Sequence, residues 1–464
     1  MEAFVETISS VNGVLNGFAW GPVMLLLLVG TGVYLSVRCG FIQSRHFGWI
    51  MKNTVGKLFQ KQGKDHGSNL SPFQAVSTAL AGTVGTGNIA GVTGALFAGG
   101  PGAVFWMWVS AFFGMCTKYA EIALAIQYRE TDDKGIYHGG PMYYIENGLG
   151  KSWKWLAVIF AIFGGLASFG IGNIAQSTEI ASALQNLFGL DKLVAGIILA
   201  VLVGFVLIGG VKRIGTVTSY LVPVMAVFYI VAGILVILLR ITQIPAALVL
   251  IVKSAFSFRA VGGGIFGYAI MLAMKNGFAR GVFSNEAGLG SAPMAHAASS
   301  TEEPCEQAIW GVFEVFIDTI VICTITALAV ILSGVLDAGN VSSYGSNGAA
   351  AAAAFNSILP GSIGGIVIQI GLLLFSLSTV ISWGYYGASC WGYLSKGSKI
   401  VTGIFNIVFV LMCIVGSIGS GALMWDIADT LNGLMAIPNL IALLLLSGTV
   451  AKLTKEYLAQ HKLK

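Results

Sequence analysis

The chain has 464 residues, of which 56% are hydrophobic and only 10% are charged. A soluble domain carries about 25% charged residues, so this composition excludes an ordinary soluble protein and indicates a polytopic protein within the lipid bilayer. The formal net charge of +5 is too small and too scattered to indicate nucleic-acid binding. The six cysteines lack CxxC spacing and the five histidines are dispersed, which argues against a metal cluster.

Apolar runs predict about eleven transmembrane helices, since about 20 apolar residues span a bilayer. Lysine and arginine concentrate on one side of these spans, above all between residues 38 and 64 and in the C-terminal tail. Cytoplasmic loops carry such an excess, which predicts an outside N-terminus, an inside C-terminus and an odd number of spans. The predicted spans are 17–37, 73–98, 103–127, 154–180, 193–210, 216–239, 265–298, 308–335, 363–391, 400–419 and 431–451.

Two connecting segments have unusual composition. Residues 245–264 are apolar but carry Lys253 and Arg259, which fits a segment lying along the outer surface. Residues 336–365 contain an alanine run at 349–354 among glycine and serine, which predicts a short external helix with flexible flanks.

Glycines interrupt the second predicted span at residues 82–91 (GTVGTGNIAG). Each glycine costs about 1 kcal/mol relative to alanine in a helix, so the helix is expected to break within the membrane. Hydrocarbon offers no partner to the freed backbone groups, so such a break must line a cavity or bind a ligand. Broken helices mark the sites of secondary transporters. The alternative is that the glycines only allow close helix packing.

A second interrupted segment lies at residues 283–293 (FSNEAGLGSAP), inside the span 265–298. Both interruptions share an N-x-A-G pattern, beginning at Asn88 and Asn285. Chance explains three matching letters more easily than it explains paired interruptions. Matching breaks in two halves are a sequence signature of a transporter site, and five spans per half would give the two halves opposite orientations.

The span 363–391 carries a polar and aromatic face. The neighbouring hydroxyl groups of Ser378 and Thr379 suit a hard cation such as Na⁺, which prefers oxygen ligands. The alternative is that both hydroxyl groups bond back to carbonyl groups of their own helix. Steps of three and four residues place on this face Phe375, Ser378, Thr379, Ser382, Trp383 and Tyr386.

Acidic residues within membrane spans are costly and therefore indicate a function or a partner. Glu121 follows Lys118 by one helical turn and is predicted to pair with it. Glu286 lies in the second interruption and is predicted to pair with Arg280 or Lys275. The alternatives for Glu286 are contact with a substrate amine or the binding of a proton.

Glu314 and Asp318 lie one turn apart on the same helix face. Like charges repel at this spacing, so one of the two is expected to be protonated or partnered. Glu179 has no partner that the sequence reveals. The roles of these acidic residues stay open at this point.

Three segments resemble the signature of the alanine/glycine:cation symporter family: 85–91, 99–114 (GGPGAVFWMWVSAFFG) and 280–293 (RGVFSNEAGLGSAP). The resemblance covers about 15–450. It implies an all-α, leucine-transporter type of fold with two inverted five-helix repeats, at about 70–240 and about 262–451. The helix at 17–37 would be an extra N-terminal one.

The resemblance implies coupled uptake of a small neutral amino acid. Half-helix N-termini favour anions, so Gly85, Gly87 and Asn88 are expected beside the substrate carboxylate. Trp383 and Phe283 are expected to wall the pocket and to leave room only for alanine or glycine. Further candidates are Phe169 as a wall and Asn285, which would bind the substrate amine or cap the broken helix.

Alignment to the sodium site shared by this fold implies a coupling-ion site. Ser378 and Thr379 would supply side-chain oxygens, and the backbone carbonyl groups of Ala81, Val84 and Phe375 would complete the ligand set.

The sequence therefore predicts a single-domain, monomeric symporter of the cell membrane, driven by sodium or protons, with no cofactor. The alternatives are a symporter for serine or glutamine, a channel, or an amino-acid sensor. Channels usually form their pore through subunit symmetry. An enzyme is disfavoured because no nucleophile–base pair, metal-spaced histidine cluster or nucleotide loop appears.

Overall fold

The computed structural model describes residues 2–58, 69–256, 268–419 and 422–463, and these are almost entirely helical. The strands β1 (Glu130–Thr131) and β2 (Tyr137–His138) form a small antiparallel hairpin with Glu130 opposite His138. The helices are α1 (Glu2–Ala19), α2 (Pro22–Arg38), α3 (Ile42–Arg45), α4 (Phe47–Leu58), α5 (Pro72–Thr83), α6 (Val92–Gly99), α7 (Gly102–Gln127), α8 (Pro141–Leu149), α9 (Lys154–Phe169), α10 (Ala175–Phe188), α11 (Lys192–Ile208), α12 (Gly210–Leu239), α13 (Ile244–Ala255), α14 (Tyr268–Asn285), α15 (Ala292–Ala297), α16 (Pro304–Val315), α17 (Thr324–Ser333), α18 (Asn347–Ile358), α19 (Ile363–Leu394), α20 (Lys399–Ile418), α21 (Ala422–Leu445) and α22 (Ser447–Gln460). Turns of π-helix occupy Gly87–Gly91, Gly170–Ile174 and Phe316–Cys323.

Within the described residues, seven helical segments are long and apolar enough to cross a membrane, or eight if the bent pair α21 and α22 counts as one span. This confirms the all-α, polytopic architecture. The total of about eleven spans stays a prediction, because the two interrupted segments and the shorter α11 fall outside this set.

The N-terminal helix differs from the predicted span 17–37. The chain forms α1, turns at Gly21 and starts α2 with Pro22 at its first position, where proline is pre-organised for a helix. Asparagines and glycines interrupt the apolar pattern of α1, so hydropathy did not reveal it. Close packing against α21 stabilises α1: a Cβ added at Gly433 of α21 would lie 2.9 Å from Ala19 Cβ.

The predicted span 431–451 was wrong at its end. The chain bends by 60° between Asp429–Leu445 and Ser447–Gln460. The apolar pattern gives way at this point to the mixed polar sequence of α22, whose buried side packs under α7. There Tyr119 Oη and Thr454 Oγ1 lie 3.1 Å apart.

The two unusual connecting segments are partly helical. The alanine run lies in α18, which Ser346 caps by accepting a hydrogen bond from Ala349 N at 3.1 Å. The apolar segment 245–264 begins within α13. Residues 257–264 of this segment lie outside the described residues, and with them Arg259 and the predicted start of the second repeat near 262. Lys61 and Lys64, which belong to the basic stretch between residues 38 and 64, also lie outside the described residues.

Both predicted interruptions are present. Helix α5 ends at Thr83, and after a short bend the π-helical turn Gly87–Gly91 leads into α6. Helix α14 ends at Asn285, and the bend before α15 contains Glu286, Gly288 and Gly290 with φ of 55°, 92° and 84°. Glycine adopts positive φ readily, whereas a glutamate does so at a cost, so Glu286 is held by its surroundings.

Close backbone approaches hold the interrupted helices against their neighbours. Ser382 of α19 donates a 2.6 Å hydrogen bond to the carbonyl of Thr78 in α5. A Cβ added at Gly277 of α14 would lie 2.4 Å from the carbonyl oxygen of Ala103 in α7 and 2.7 Å from Trp106 Cβ.

We expect Gly277→Ala to destabilise the protein by about 1–3 kcal/mol, because the added methyl group meets backbone atoms that cannot move aside. The matched control is Gly403→Ala in α20, where an added Cβ meets nothing within 4 Å. That change should be neutral or stabilising by up to about 1 kcal/mol. Thermal unfolding in detergent measures both. Equal midpoints for the two variants would contradict the close approach of α14 to α7.

Candidate functional site

A small cavity lies where the two interrupted helices meet α19. The open space between these elements amounts to about 260 Å³. Five of the site residues predicted from the sequence line it: Gly85, Gly87, Phe283, Thr379 and Trp383. The other lining residues are Gly82, Thr83, Thr86, Ile171, Gln176 and Glu286.

The first interruption contributes Gly82, Thr83 and residues 85–87 to the lining of this cavity. Thr86 and Gly87 begin the second half-helix, where N–H groups have no acceptor within the helix. Asn88 lies behind them: its Oδ1 accepts a hydrogen bond from Gly85 N at 2.8 Å, and its Nδ2 donates to Asp318 Oδ1 at 2.6 Å. Asn88 therefore stabilises the shape of the break.

Asn285 caps the second interruption. Its Oδ1 accepts a hydrogen bond from Ala287 N at 3.0 Å, and its Nδ2 donates to Thr319 Oγ1 at 3.0 Å. Of the two roles considered for Asn285, the hydrogen bonds match the capping role.

Glu286 faces the cavity and α19. Its Oε1 accepts a 3.0 Å hydrogen bond from Trp383 Nε1, and its Oε2 accepts one from Ser291 Oγ. The predicted pair with Arg280 or Lys275 was wrong. Arg280 points to a different side of α14 and pairs with Asp429, at 3.9 Å between Nη1 and Oδ1.

Asp318 joins the two interruptions. Besides Asn88, it receives hydrogen bonds at Oδ2 from Ser284 Oγ at 2.9 Å and from Thr319 Oγ1 at 2.8 Å. All four residues are buried. The carboxyl group thus links the π-helical turn Gly87–Gly91, α14 and the π-helical turn Phe316–Cys323.

Lys118 of α7 is fully buried and forms a salt bridge with Glu314 of α16, at 3.3 Å between Nζ and Oε1. His296 of α15 lies 3.1 Å from the other oxygen of the same carboxyl group. Glu314 is thus the partnered member of the Glu314 and Asp318 pair. A buried charge is strongly destabilising when its partner is removed, so this ion pair fixes α7 against α16.

Glu121, which was predicted to pair with Lys118, instead anchors the second interruption. Its Oε1 accepts hydrogen bonds from Gly288 N at 3.1 Å and from Asn439 Nδ2 at 2.6 Å. Asn439 also donates to the carbonyl of Gly288 at 2.9 Å and accepts a hydrogen bond from Tyr144. The prediction was wrong because the carboxylate binds the N–H of Gly288, a residue distant in sequence whose backbone is freed by the second interruption.

On α19 both hydroxyl groups of the predicted ion site bond back to their own helix. Ser378 Oγ and Thr379 Oγ1 donate to the carbonyl oxygen of Phe375 at 2.8 and 2.9 Å. The three oxygens therefore lie together. Thr379 also faces the first interruption, since a Cβ added at Gly85 would lie 2.6 Å from Thr379 Oγ1.

Ala81 and Val84 lie at the C-terminal end of α5. The last four carbonyl groups of a helix have no donor within it, although Leu80 O accepts a 2.8 Å hydrogen bond from Val84 N. Both residues are buried. They lie at a helix end, beside the cavity-lining Gly82 and Gly85.

Phe169, the remaining predicted wall, packs away from the cavity. Its ring centroid lies 5.1 Å from that of Phe405 and 6.1 Å from that of Phe409. The glycines that follow Phe169 in sequence form the π-helical turn Gly170–Ile174, which brings Ile171 to the cavity instead.

Gln176 is a lining residue that the sequence reasoning missed. Its Nε2 donates to Thr86 Oγ1 at 3.2 Å and to Ile171 O at 3.1 Å, which leaves its buried Oε1 without a hydrogen bond among the described residues. In the sequence, the glycines at 170 and 172 were the feature that could have indicated a distorted helix at this point.

Glu179 lies one turn after Gln176 and close to α18: a Cβ added at Gly348 would be 3.4 Å from Glu179 Oε2.

Comparison with known sequences identifies the family. Residues 5–464 match the sequence profile of the sodium:alanine symporter family. The chain belongs to the sodium:alanine symporter family. It is 48% identical to the sodium/alanine symporter AgcS of Methanococcus maripaludis, over 98% of both chains. It is 39% identical to GlnT of Bacillus subtilis, described as a probable sodium/glutamine symporter, over 98% of this chain and 92% of the relative.

Solved structures agree at the level of the fold. The crystal structure of MhsT in complex with L-phenylalanine is similar with a TM-score of 0.61 at 17% identity, over 87% of this chain and 94% of MhsT. A Na⁺-coupled sialic acid symporter in a substrate-bound outward-open state has a TM-score of 0.53 at 14% identity, over 92% of this chain and 87% of that one. The family resemblance and the leucine-transporter type of fold are both confirmed.

We expect Lys118→Met to destabilise the protein by about 3–5 kcal/mol, because Glu314 would lose its lysine and keep a buried carboxylate with only the His296 contact. The double variant Lys118→Met with Glu314→Gln should be more stable than the single one. Thermal unfolding in detergent compares them. A double variant less stable than the Lys118→Met variant would show that uncompensated charge is not the cause.

Proposed function

We propose that this protein is a sodium-coupled symporter that takes up a small neutral amino acid, alanine or glycine, by alternating access. The observation that carries the proposal is the small cavity between the two helix interruptions. Glycines of the first interruption, the aromatic residues Phe283 and Trp383, and Thr379 of the proposed ion site all line it.

The substrate carboxylate would bind at the start of the second half-helix. The N–H groups of Thr86 and Gly87 and the positive end of the helix dipole favour an anion there. Neither Gly85 nor Gly87 has a Cβ, so a ligand can approach the backbone closely. Asn88 would keep these amides oriented through its bond to Gly85.

The substrate ammonium would face Glu286 and Gln176. An ammonium group donates three hydrogen bonds and needs acceptors. Glu286 contributes a carboxylate at the cavity, and Gln176 contributes an oxygen that has no other donor among the described residues. This assignment replaces Asn285, whose amide is committed to the cap.

The walls favour a small side chain. A Cβ added at Gly87 would lie 3.1 Å from the Phe283 ring, so little space separates the first interruption from this wall. The relative named a sodium/alanine symporter agrees with such a substrate. Glutamine is the second candidate, because another relative is named for it.

Sodium would bind between α5 and α19 as a co-transported ion. The proposed ligands are the hydroxyl groups of Ser378 and Thr379 and the carbonyl groups of Ala81, Val84 and Phe375. A hydroxyl that donates to Phe375 O still has lone pairs to offer a cation. Sodium and substrate would then raise each other's affinity by the same factor.

The proposal includes a monomer in the cytoplasmic membrane with its N-terminus outside and its C-terminus inside. Two inverted repeats, at about 70–240 and about 262–451, would rock against each other around the cavity. A channel would instead give flux that does not saturate with substrate.

Uptake of radiolabelled alanine into proteoliposomes tests the proposal. An inward sodium gradient should drive saturable, concentrative uptake, and potassium at matched pH should not. Thr379→Ala should raise the sodium concentration for half-maximal uptake about tenfold, because it removes a ligand oxygen worth roughly 1.4 kcal/mol.

The control is Ser389→Ala, since Ser389 bonds back to α19 in the same way but lies about three turns further on. Uptake that does not depend on sodium would reject the coupling ion. Equal sodium dependence in both variants would reject the ion site alone.

We expect Glu286→Gln to weaken alanine binding about tenfold, because a charge-assisted hydrogen bond to the ammonium group becomes a neutral one. The amide oxygen of the variant can still accept the bond from Trp383. Calorimetric titration with alanine in saturating sodium measures the affinity, with Glu179→Gln as the control. A variant that binds alanine as tightly as the unchanged protein would exclude Glu286 as the ammonium partner.

A further inference from the structure

An ion pair lies beside the aromatic wall of the cavity. Arg280 of α14 and Asp429 of α21 approach to 3.9 Å, with side chains that are 31% and 13% exposed. The guanidinium carbon of Arg280 lies 5.3 Å from the centroid of the Phe283 ring, within the range of a cation–π contact. Arg280 therefore touches both the ion-pair partner and a residue of the cavity wall.

Residues from the N-terminal end of the chain hold Asp429 in place. Asn16 Nδ2 donates a 3.0 Å hydrogen bond to Asp429 Oδ2, and Trp20 Nε1 donates a 3.0 Å bond to the Asp429 carbonyl. Asn16 occupies one carboxylate oxygen and leaves Oδ1 directed at Arg280. A Cβ added at Gly433 would lie 3.3 Å from the Trp20 ring, so α21 fits closely against this segment.

The last contact in the series reaches the substrate cavity. Phe283 is buried, lines the cavity and packs against the first interruption at Gly87. Direct contacts therefore run from Asn16 to Asp429, from Asp429 to Arg280, and from Arg280 to the Phe283 wall. Asn16 and Trp20 are not among the lining residues, and their hydrogen bonds connect to the cavity wall through Asp429 and Arg280.

We propose that Asn16 and Asp429 are positioning residues that hold Arg280 over Phe283 and thereby keep the aromatic wall closed against the cavity. Through them the extra N-terminal segment sets how tightly a small substrate is enclosed. This role in transport rests on the proposed function. A partly exposed ion pair is weak, which suits a wall that has to open in every transport cycle.

The first test reads the position of the wall without any transport. Thr86→Cys places a thiol at the cavity, and its rate of reaction with a maleimide reports access past Phe283. The six native cysteines are buried and give the background rate. Asp429→Asn and Asn16→Ala should each raise the rate about fivefold, as expected for the loss of a pair of this exposure.

Asp426→Asn is the matched control. Asp426 lies one turn earlier on α21, is exposed and loses the same charge. Asp429→Glu retains the charge and should restore part of the slow rate. Labelling of the Asp429→Asn protein at the control rate would overturn the proposal, whatever the protein transports.

The second test measures selectivity in proteoliposomes. Asp429→Asn should raise the KM for alanine about fivefold with little change in kcat, and should improve competition by valine relative to serine, since the wall is looser. A uniform loss of kcat with unchanged selectivity would indicate a merely structural role and would overturn the proposal. If the unchanged protein moves no alanine while the labelling rates shift as expected, the proposed function fails and the positioning of the wall stands.

Discussion

The structure depends on one constraint: backbone groups that a broken helix frees within a membrane must find partners inside the protein. Side chains meet this need at both interruptions. Asn88 accepts a hydrogen bond from the N–H of Gly85. Glu121 accepts one from the N–H of Gly288, and Asn439 donates one to the carbonyl of Gly288. Thr86 and Gly87, at the start of the second half-helix, line the cavity. The same side chains that satisfy freed backbone groups therefore also hold the shape of the cavity.

Polar side chains around the interruptions divide into two groups. Lys118 neutralises Glu314 and locks α7 to α16, and Asp318 joins the two interrupted helices through neutral donors. Glu286 differs because it reaches both the cavity and Trp383. Within the described region around the interruptions, the buried carboxyl groups outnumber the lysine that faces them. Of these carboxyl groups, Glu286 is the one that lines the cavity, and it is the acceptor proposed for the ammonium group of the substrate.

Local signals in the sequence predicted local structure well. The clustered glycines predicted both interruptions, and helical spacing predicted that Thr379 and Trp383 share one face of α19. Partners distant in sequence were not predictable: Lys118 turned to Glu314 and Glu121 to the backbone of Gly288, because tertiary packing decides which groups meet. The same limit explains why Phe169 was predicted as a wall while the lining residue Gln176 was missed. The glycines marked a distortion, but only its geometry shows which side chain it directs inward. The roles of the site residues in transport stay predictions.

The two ion pairs near the cavity differ in their response to dissolved salt. Lys118 and Glu314 are sealed from solvent, so mobile ions cannot screen their attraction. Arg280 and Asp429 are partly exposed, and ions at physiological strength screen such charges over about 8 Å. A rise in ionic strength would therefore weaken the pair beside the aromatic wall and leave the internal ion pair unchanged. One ion pair of the protein thus responds to the salt concentration around it, while the other, which is buried, keeps the helices in place.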